Sequence, residues 1–301
     1  MNATAAPPDR RYRLTLHYDG AEFHGWQTQP NARTVQGVLE SALSGIISRR
    51  ADVMAAGRTD AGVHATGQVA SAIAPGHWRA EVLQRALNAV LPPDVWVASV
   101  DEVALDFHAR YDAVARGYTY RVGTEPAARS PFLRRWCWPL GHALAPQLLA
   151  QAASQLAGRH SFRAFARSGQ PERGEFCTVW SAQWEPWSDL GWTLRITANR
   201  FLHHMVRYLV GTMIDVARSR RPLSDIDALL RNESGFETSA PAPAKGLFLT
   251  RVYYDTRELE VEGAEARPAA ASSRGSVDAG EPAPEHEPFK GIGDVFRTRP
   301  V

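Results

Sequence analysis

The chain has 301 residues, is 44% apolar and carries a formal net charge of +2, enough material for one large domain or two of ordinary size. It contains no run of 18 apolar residues, and residues 1–11 hold no apolar stretch, so neither a helical membrane span nor a secretion signal is expected. The only two cysteines, Cys137 and Cys177, have no metal-site or redox partner nearby, which fits buried thiols in a reducing cytoplasm.

Residues 1–10 are short, polar and proline-bearing and are expected to be disordered. Tyr12, Leu14, Leu16 and Tyr18 alternate with Arg13, Thr15 and His17, the period of a strand with one buried face. Asp19-Gly20 ends it. Thr34 stands where a cap would open a helix whose apolar stripe is Val35, Val38, Leu39, Ala42, Leu43 and Ile46. Residues 53–56 lead into a glycine-flanked loop, and 68–74 reads as a strand. A helix is predicted over 80–91, with Val82, Leu83, Ala86, Leu87 and Val90 toward the core. Pro92-Pro93 stops it, and a strand follows over 95–100. Strand, helix, strand, strand, helix, strand is the order of a ferredoxin-like split βαβ unit, assigned to residues 11–105.

A second unit over 106–256 roughly repeats that order. A strand over 114–122 puts Arg116, Tyr118, Tyr120 and Val122 on one face. A helix over 147–156 ends at Gly158, strands follow over 176–184 and 192–198, and the longest helix spans 202–218. Ser224 opens a short helix with Asp227 at the capping-box offset, and 247–254 is a closing strand. From Arg257 the composition shifts to alanine, glycine, proline, serine and glutamate, so 257–301 is expected to be a low-complexity, largely disordered tail. That tail carries six basic and nine acidic residues, against 28 and 23 in residues 1–256. A moderately basic body admits nucleic acid as a partner.

Chemistry concentrates first in Gly57-Arg58-Thr59-Asp60-Ala61-Gly62-Val63-His64. Gly57 and Gly62 can take backbone angles closed to other residues and let a ligand approach the main chain. Asp60 between them is either presented to a ligand or paired with Arg58 in a tight turn. Arg58 would hold the carboxylate ionised and offer donors to a phosphate or base. An ionised carboxylate so placed can act as nucleophile or general base. A glycosidase-type site would need a second carboxylate at a defined distance, and none stands nearby in sequence.

Tyr118, in Ala115-Arg116-Gly117-Tyr118-Thr119-Tyr120, is either a core tyrosine or a phenol at a cleft, able to stack on a base and pass a proton. In Asn199-Arg200-Phe201-Leu202-His203-His204-Met205-Val206-Arg207, helical spacing puts His203 and Arg207 on one face and turns His204 elsewhere. That is poor zinc geometry, and no metal site is expected. Gly211 continues the His203–Arg207 face, leaving space for another backbone or a ligand. Arg207 lies well inside an otherwise apolar helix. It either holds a carboxylate, with Asp60 the candidate, or carries its charge out to water.

Taken in order, these strings resemble the pseudouridine synthase family that acts on positions 38, 39 and 40 of tRNA. The resemblance runs through Tyr18-Asp19-Gly20, Gly25-Trp26-Gln27, the loop from Gly57 to His64, Gly67-Gln68-Val69 and Leu91-Pro92. It continues with Phe107-His108-Ala109-Arg110, Arg116 to Tyr120, Phe201 to Arg207 with Gly211, and Lys245-Gly246-Leu247. It covers about residues 12–255. Three features depart from the family pattern. Thr28 replaces a basic residue, Gln170 to Trp180 lacks the family's arginine-containing string, and the tail exceeds the usual length.

The resemblance implies an α+β fold of two ferredoxin-like halves, with joined, mainly antiparallel sheets flanked by helices and a basic cleft between them. It implies Asp60 as the catalytic aspartate, Tyr118 as the tyrosine stacked on the target base and Arg207 as the basic partner of Asp60. Arg58 would hold tRNA and assist base flipping. Thr59, His64, Arg110, Arg116, His203, Lys245 and Leu247 are the further positions expected at the substrate and tRNA site. The implied partners are the tRNA anticodon stem-loop and a second copy of the chain, with neither metal nor organic cofactor. The implied reaction turns uridine into pseudouridine. Asp60 has three routes: attack at C1′, addition at C6, or removal of the C2′ proton.

Overall fold

Tyr12, Leu14 and Leu16 are buried along one side of strand β1 (Asp9–Tyr18), as their alternation requires. The computed structural model describes residues 8–167 and 174–259. β1 starts at Asp9, so the disorder expected over 1–10 does not reach its last two residues; 1–7 lie outside the described residues. On one side β1 pairs antiparallel with β3 (His64–Pro75), and on the other with β4 (Val95–Val103). The short β2 (Val53–Ala55) pairs with β3.

Helix α1 (Val35–Ile47) buries the stripe Val35, Leu39, Leu43 and Ile47. Helix α2 (Ala80–Val90) buries only Leu83 and Leu87, whereas Val82 and Val90, expected in the core, are exposed. α2 thus packs through one i,i+4 line, and the apolar residues beside it face outward.

The later strands are β5 (Ala115–Gly123), β6 (Trp138–Pro139), β7 (Gly158–Ser161), β8 (Phe176–Trp187), β9 (Gly191–Ala198) and β10 (Leu247–Tyr253). The sheet runs β4-β1-β3-β10-β5-β9-β8-β7, with β2 on β3 and β6 on β5. The last strand in sequence therefore fills the centre. It lies parallel to β3, with Phe248 opposite His64, and antiparallel to β5, with Leu249 opposite Tyr118. This is an α+β fold with one large, mainly antiparallel sheet flanked by helices. β6 and β7 escape sequence reading because each is too short to show a period.

Helices α3 (Pro146–Ser154), α4 (Met205–Ala217) and α5 (Ser224–Leu230) complete the chain. α4 starts at Met205 rather than at Leu202. α5 has no side-chain cap from Ser224; its first turn is anchored instead by Asp225, 2.8 Å from Arg221, while Asp227 pairs with Arg231. Residues 256–259 form a helical turn, with Glu258 held 2.9 Å from Arg251. The described structure thus continues past the expected boundary at 257, and the remaining tail, 260–301, lies outside the described residues. So do 168–173, which take in the first four residues of the unusual 170–180 segment. Cys137 and Cys177 are free and buried, and burial pushes both thiols up to about 11. Among the described residues no helix is long and apolar enough to cross a membrane.

Candidate active site

The loop between β2 and β3 is pinned through its main chain. Trp26 N–H donates to the Thr59 carbonyl (3.0 Å), Val63 N–H to the Asp60 carbonyl (3.1 Å), and Gly62 N–H to the Phe23 carbonyl (3.3 Å). Gly62 turns through φ 77°, which glycine takes at no steric cost; Gly57 takes no left-handed angle, contrary to expectation. Gln68 Nε2 donates to the Gly57 carbonyl at 2.8 Å. Thr59 is buried and turned inward, its hydroxyl 2.8 Å from that of Tyr18. Burial pushes the Tyr18 phenol up to about 12, so it stays neutral and supports the loop.

Asp60 emerges from this frame with its side chain 19% exposed. His203 Nε2 lies 3.4 Å from Oδ1, His204 Nε2 lies 3.4 Å from Oδ2, and Arg207 Nη1 lies 3.7 Å from Oδ2. The loop's own arginine is absent from this group. Arg58 is exposed and has no acidic partner among the described residues, so the cation at Asp60 comes from α4. Arg207 is aimed by its Nε, which donates to the Ala242 carbonyl at 2.8 Å. The backbone at 240–242 can sit that close because of Gly211: a Cβ there would stand 2.1 Å from the Ala240 carbonyl oxygen.

The histidines correct the helical reading. His204 precedes the helix and sits at φ 64°, ψ 3°, in the left-handed region. The reversal brings both rings, with centroids 4.2 Å apart, onto Asp60 instead of sending them different ways. The apolar spacing of Leu202, Met205 and Leu209 masked this break. Each imidazole turns its Nε2 toward one carboxylate oxygen, which can accept from any N–H presented there. Burial lowers the His204 pKa, with His203 and Arg207 adding to the effect and Asp60 opposing it. Asp60, His203 and His204 offer three ligand atoms within 4.8 Å of one another, a group a metal ion could share. Arg207 already neutralises the same carboxylate, so charge balance at Asp60 calls for no ion.

Tyr118 is buried on β5, with its ring edge-on to Phe201 at 4.9 Å. Burial raises its pKa, and the nearby Tyr18 and Asp60 add to the rise. It is therefore a neutral phenol, able to donate a proton. Its hydroxyl has no hydrogen-bond partner among the described residues.

Several other expected site residues lie behind this group. Arg116 donates to four carbonyls, those of Ala56, Arg110, Ala113 and Asn199. It staples the β2–β3 loop to the start of β5 and is not available to a phosphate. His64 is 1% exposed, with Nδ1 3.0 Å from both Gly20 N and Asp19 Oδ1, and its ring stacks on Phe248. Leu247 is buried opposite Tyr120. These three, with Thr59, hold the frame rather than face a ligand. Arg110 and Lys245 are half-exposed, and the Arg110 guanidinium lies 5.8 Å from the Tyr111 ring. The structure thus brings Asp60, Tyr118, His203 and Arg207 to one region and adds His204, Phe201 and Tyr18, to which the sequence reading gave no role. His204 and Phe201 stood inside a recognised string; only the assumed helix concealed their direction.

A mostly buried but accessible carboxylate braced by nitrogen groups beside a buried aromatic ring suits nucleophilic or general-base chemistry on a flat ring. Comparison with known proteins points the same way. The family model described as tRNA pseudouridine synthase matches residues 15–112 and 152–255. A tRNA pseudouridine synthase A of Moorella thermoacetica is 40% identical over 246 residues, 80% of this chain and 98% of the relative. One from Myxococcus xanthus is 38% identical over 244 residues, covering 81% and 92%. One from Bacteroides fragilis is 35% identical over 252 residues, covering 83% and 99%. Matched on both sides of the β3–β10 pairing, and along nearly the whole length of these relatives, the chain belongs to the tRNA pseudouridine synthase family.

Proposed function

We propose that this protein isomerises uridine to pseudouridine at positions 38, 39 and 40 in the anticodon stem-loop of tRNA, with Asp60 acting on a flipped-out uridine. The observation that carries this reading is the Asp60 carboxylate, faced by His203, His204 and Arg207 within 3.7 Å. The relatives' shared name supports tRNA as the substrate. The reaction breaks the bond from C1′ to N1, turns the ring, joins C1′ to C5, and moves the C5 hydrogen off the ring while N1 gains one. A stacked base offers neither C1′ nor C5, so the nucleotide first leaves the loop stack.

In this reading Tyr118 and Phe201 hold the turned ring and keep it from escaping. Arg207 fixes the carboxylate through its own tie to the Ala242 carbonyl, which each of the three routes open to Asp60 requires. Exposed Arg58 and half-exposed Arg110, His203 and Lys245 supply cations or donors to the RNA, whose shape rather than base sequence decides the fit. We assign the halves to residues 11–105 and 106–256. Their seam is the β3–β10 pair, which sets the Asp60 loop against the elements that carry Tyr118 and Arg207. The acting form is proposed to be a homodimer in the cytoplasm, where tRNA is found. Mapping pseudouridine in tRNA after incubation with wild type and with Asp60→Ala tests the reading. Conversion only by wild type is expected, and free uracil as the main product would replace it with a glycosidase.

A further inference from the structure

The connection between β5 and β6 presents Phe132 to solvent at 83% exposure, more than any other large apolar residue described. A single exposed phenylalanine is ordinary, but this one has unusual company. Residues 126–171 contain six arginines and neither aspartate nor glutamate, the longest stretch of the chain without an acid. Arg129, Arg134 and Arg135 flank Phe132 and are exposed, and Arg134 has no acidic partner among the described residues.

The segment is also tied to the Asp60 loop. Arg135 Nη2 lies 3.0 Å from Asp19 Oδ2, and the other Asp19 oxygen lies 3.0 Å from His64 Nδ1. The Trp136 ring meets the His64 ring at 5.0 Å. His64 closes the loop that presents Asp60 four residues earlier.

We propose that 129–136 is an RNA-docking loop: Phe132 stacks on an unpaired base of the substrate, Arg134 takes a phosphate, and the Arg135–Asp19–His64 bridge fixes this contact relative to Asp60. An aromatic face between Arg129 and Arg134, neither with an acidic partner among the described residues, matches a polyanion with exposed ring faces better than it matches a protein surface. The inference rests on the RNA-substrate reading above and adds the surface that receives the RNA.

The test uses the full chain and a tRNA transcript with uridine in the anticodon arm. Affinity is measured across a salt series, turnover under saturation, and mass by sedimentation, for wild type, Phe132→Ala, Phe132→Trp and Arg134→Ala. Phe132→Ala should weaken binding about tenfold and raise KM, leaving kcat within about twofold, and Phe132→Trp should restore affinity. Arg134→Ala should reduce the salt slope by about 0.7–0.9, the share of one phosphate. Unchanged affinity and salt slope in an active wild-type background would overturn the proposal. So would loss of self-association with unchanged RNA affinity per protomer, which makes the loop a contact between copies. If wild type forms no pseudouridine while binding still depends on Phe132, the activity reading fails and the docking loop stands.

Discussion

Helices α1 and α4 have equal length, 13 residues, and begin in opposite ways. α1 opens on Thr34 in extended conformation, and its hydroxyl accepts from Gly37 N–H at 3.3 Å. It buries four residues along one stripe. α4 opens on His204 in the left-handed region, without a side-chain cap, and buries ten. The first helix spends its opening side chain on its own amides. The second leaves those amides without such a partner and turns the imidazole to a carboxylate from a distant loop. A left-handed histidine costs on the order of 1 kcal/mol, which the deep burial of α4 can hold in place. Local rules serve stability in α1; in α4 they yield to the site.

The widest separation between the two helices is expected at the residue only α4 serves. Asp60→Ala should lower tritium release from C5-labelled tRNA by about 10³-fold or more, since nucleophile and base roles are both lost. Transcript binding should stay within a few-fold. Activity within tenfold of wild type would remove Asp60 from the chemistry. Arg207→Lys comes next. Lysine keeps a charge but not the geometry in which Nε binds the Ala242 carbonyl while Nη1 reaches Asp60. A fall in kcat of about 30-fold is expected, with KM little changed; a rise in KM alone would make Arg207 an RNA contact instead.

Three replacements at His204 separate backbone from imidazole. Asparagine tolerates left-handed angles and still donates, so His204→Asn should keep kcat within about fivefold. His204→Gly loses the ring and the steric cost of the left-handed angle, for about a tenfold loss of turnover with stability raised by up to about 1 kcal/mol. His204→Ala loses the ring but keeps that steric cost, so its unfolding free energy, read with denaturant, should fall about 1 kcal/mol below that of His204→Gly. The ring carries a pH signature too. Its folded pKa lies below the ordinary 6.5 because burial disfavours the imidazolium. As pH falls below 6.5 the unfolded chain takes the proton first, so the native state loses stability toward acid. The unfolding free energy of His204→Asn should therefore drop less between pH 7 and pH 5 than that of wild type. Equal drops would take His204 out of the pH response.

The same contrast explains what could be read from sequence. α1, its cap and the buried face of β1 follow from local periodicity, and local periodicity is what holds them. The convergence of Asp60, Tyr118 and Arg207 was legible through motif order and the cost of leaving a buried arginine unpaired. The central position of β10 was not, since pairing a strand at 247–253 with one at 64–75 leaves no mark in either segment. Arg116 was placed in the site by its motif and its face. Only the fold reveals that four carbonyls from three segments already occupy its guanidinium. The direction of His204 was hidden because a non-glycine left-handed residue inside an apolar repeat gives no compositional signal.

The smallest expected effect falls on α1. Thr34→Ala removes the one side-chain acceptor at its start, and an N-cap of this kind contributes about 1 kcal/mol. In a folded body of this size that corresponds to a Tm lower by roughly 2–4 °C, measurable by calorimetry. Thr34→Ser should recover most of it, because the hydroxyl and not the methyl group accepts from Gly37. Turnover at 25 °C should stay within about twofold in both variants, since the cap spends its oxygen on the helix and none of its partners reaches Asp60. A tenfold loss of turnover with the fold intact would mean that α1 is coupled to the site, and the division of labour between the two helices would not hold.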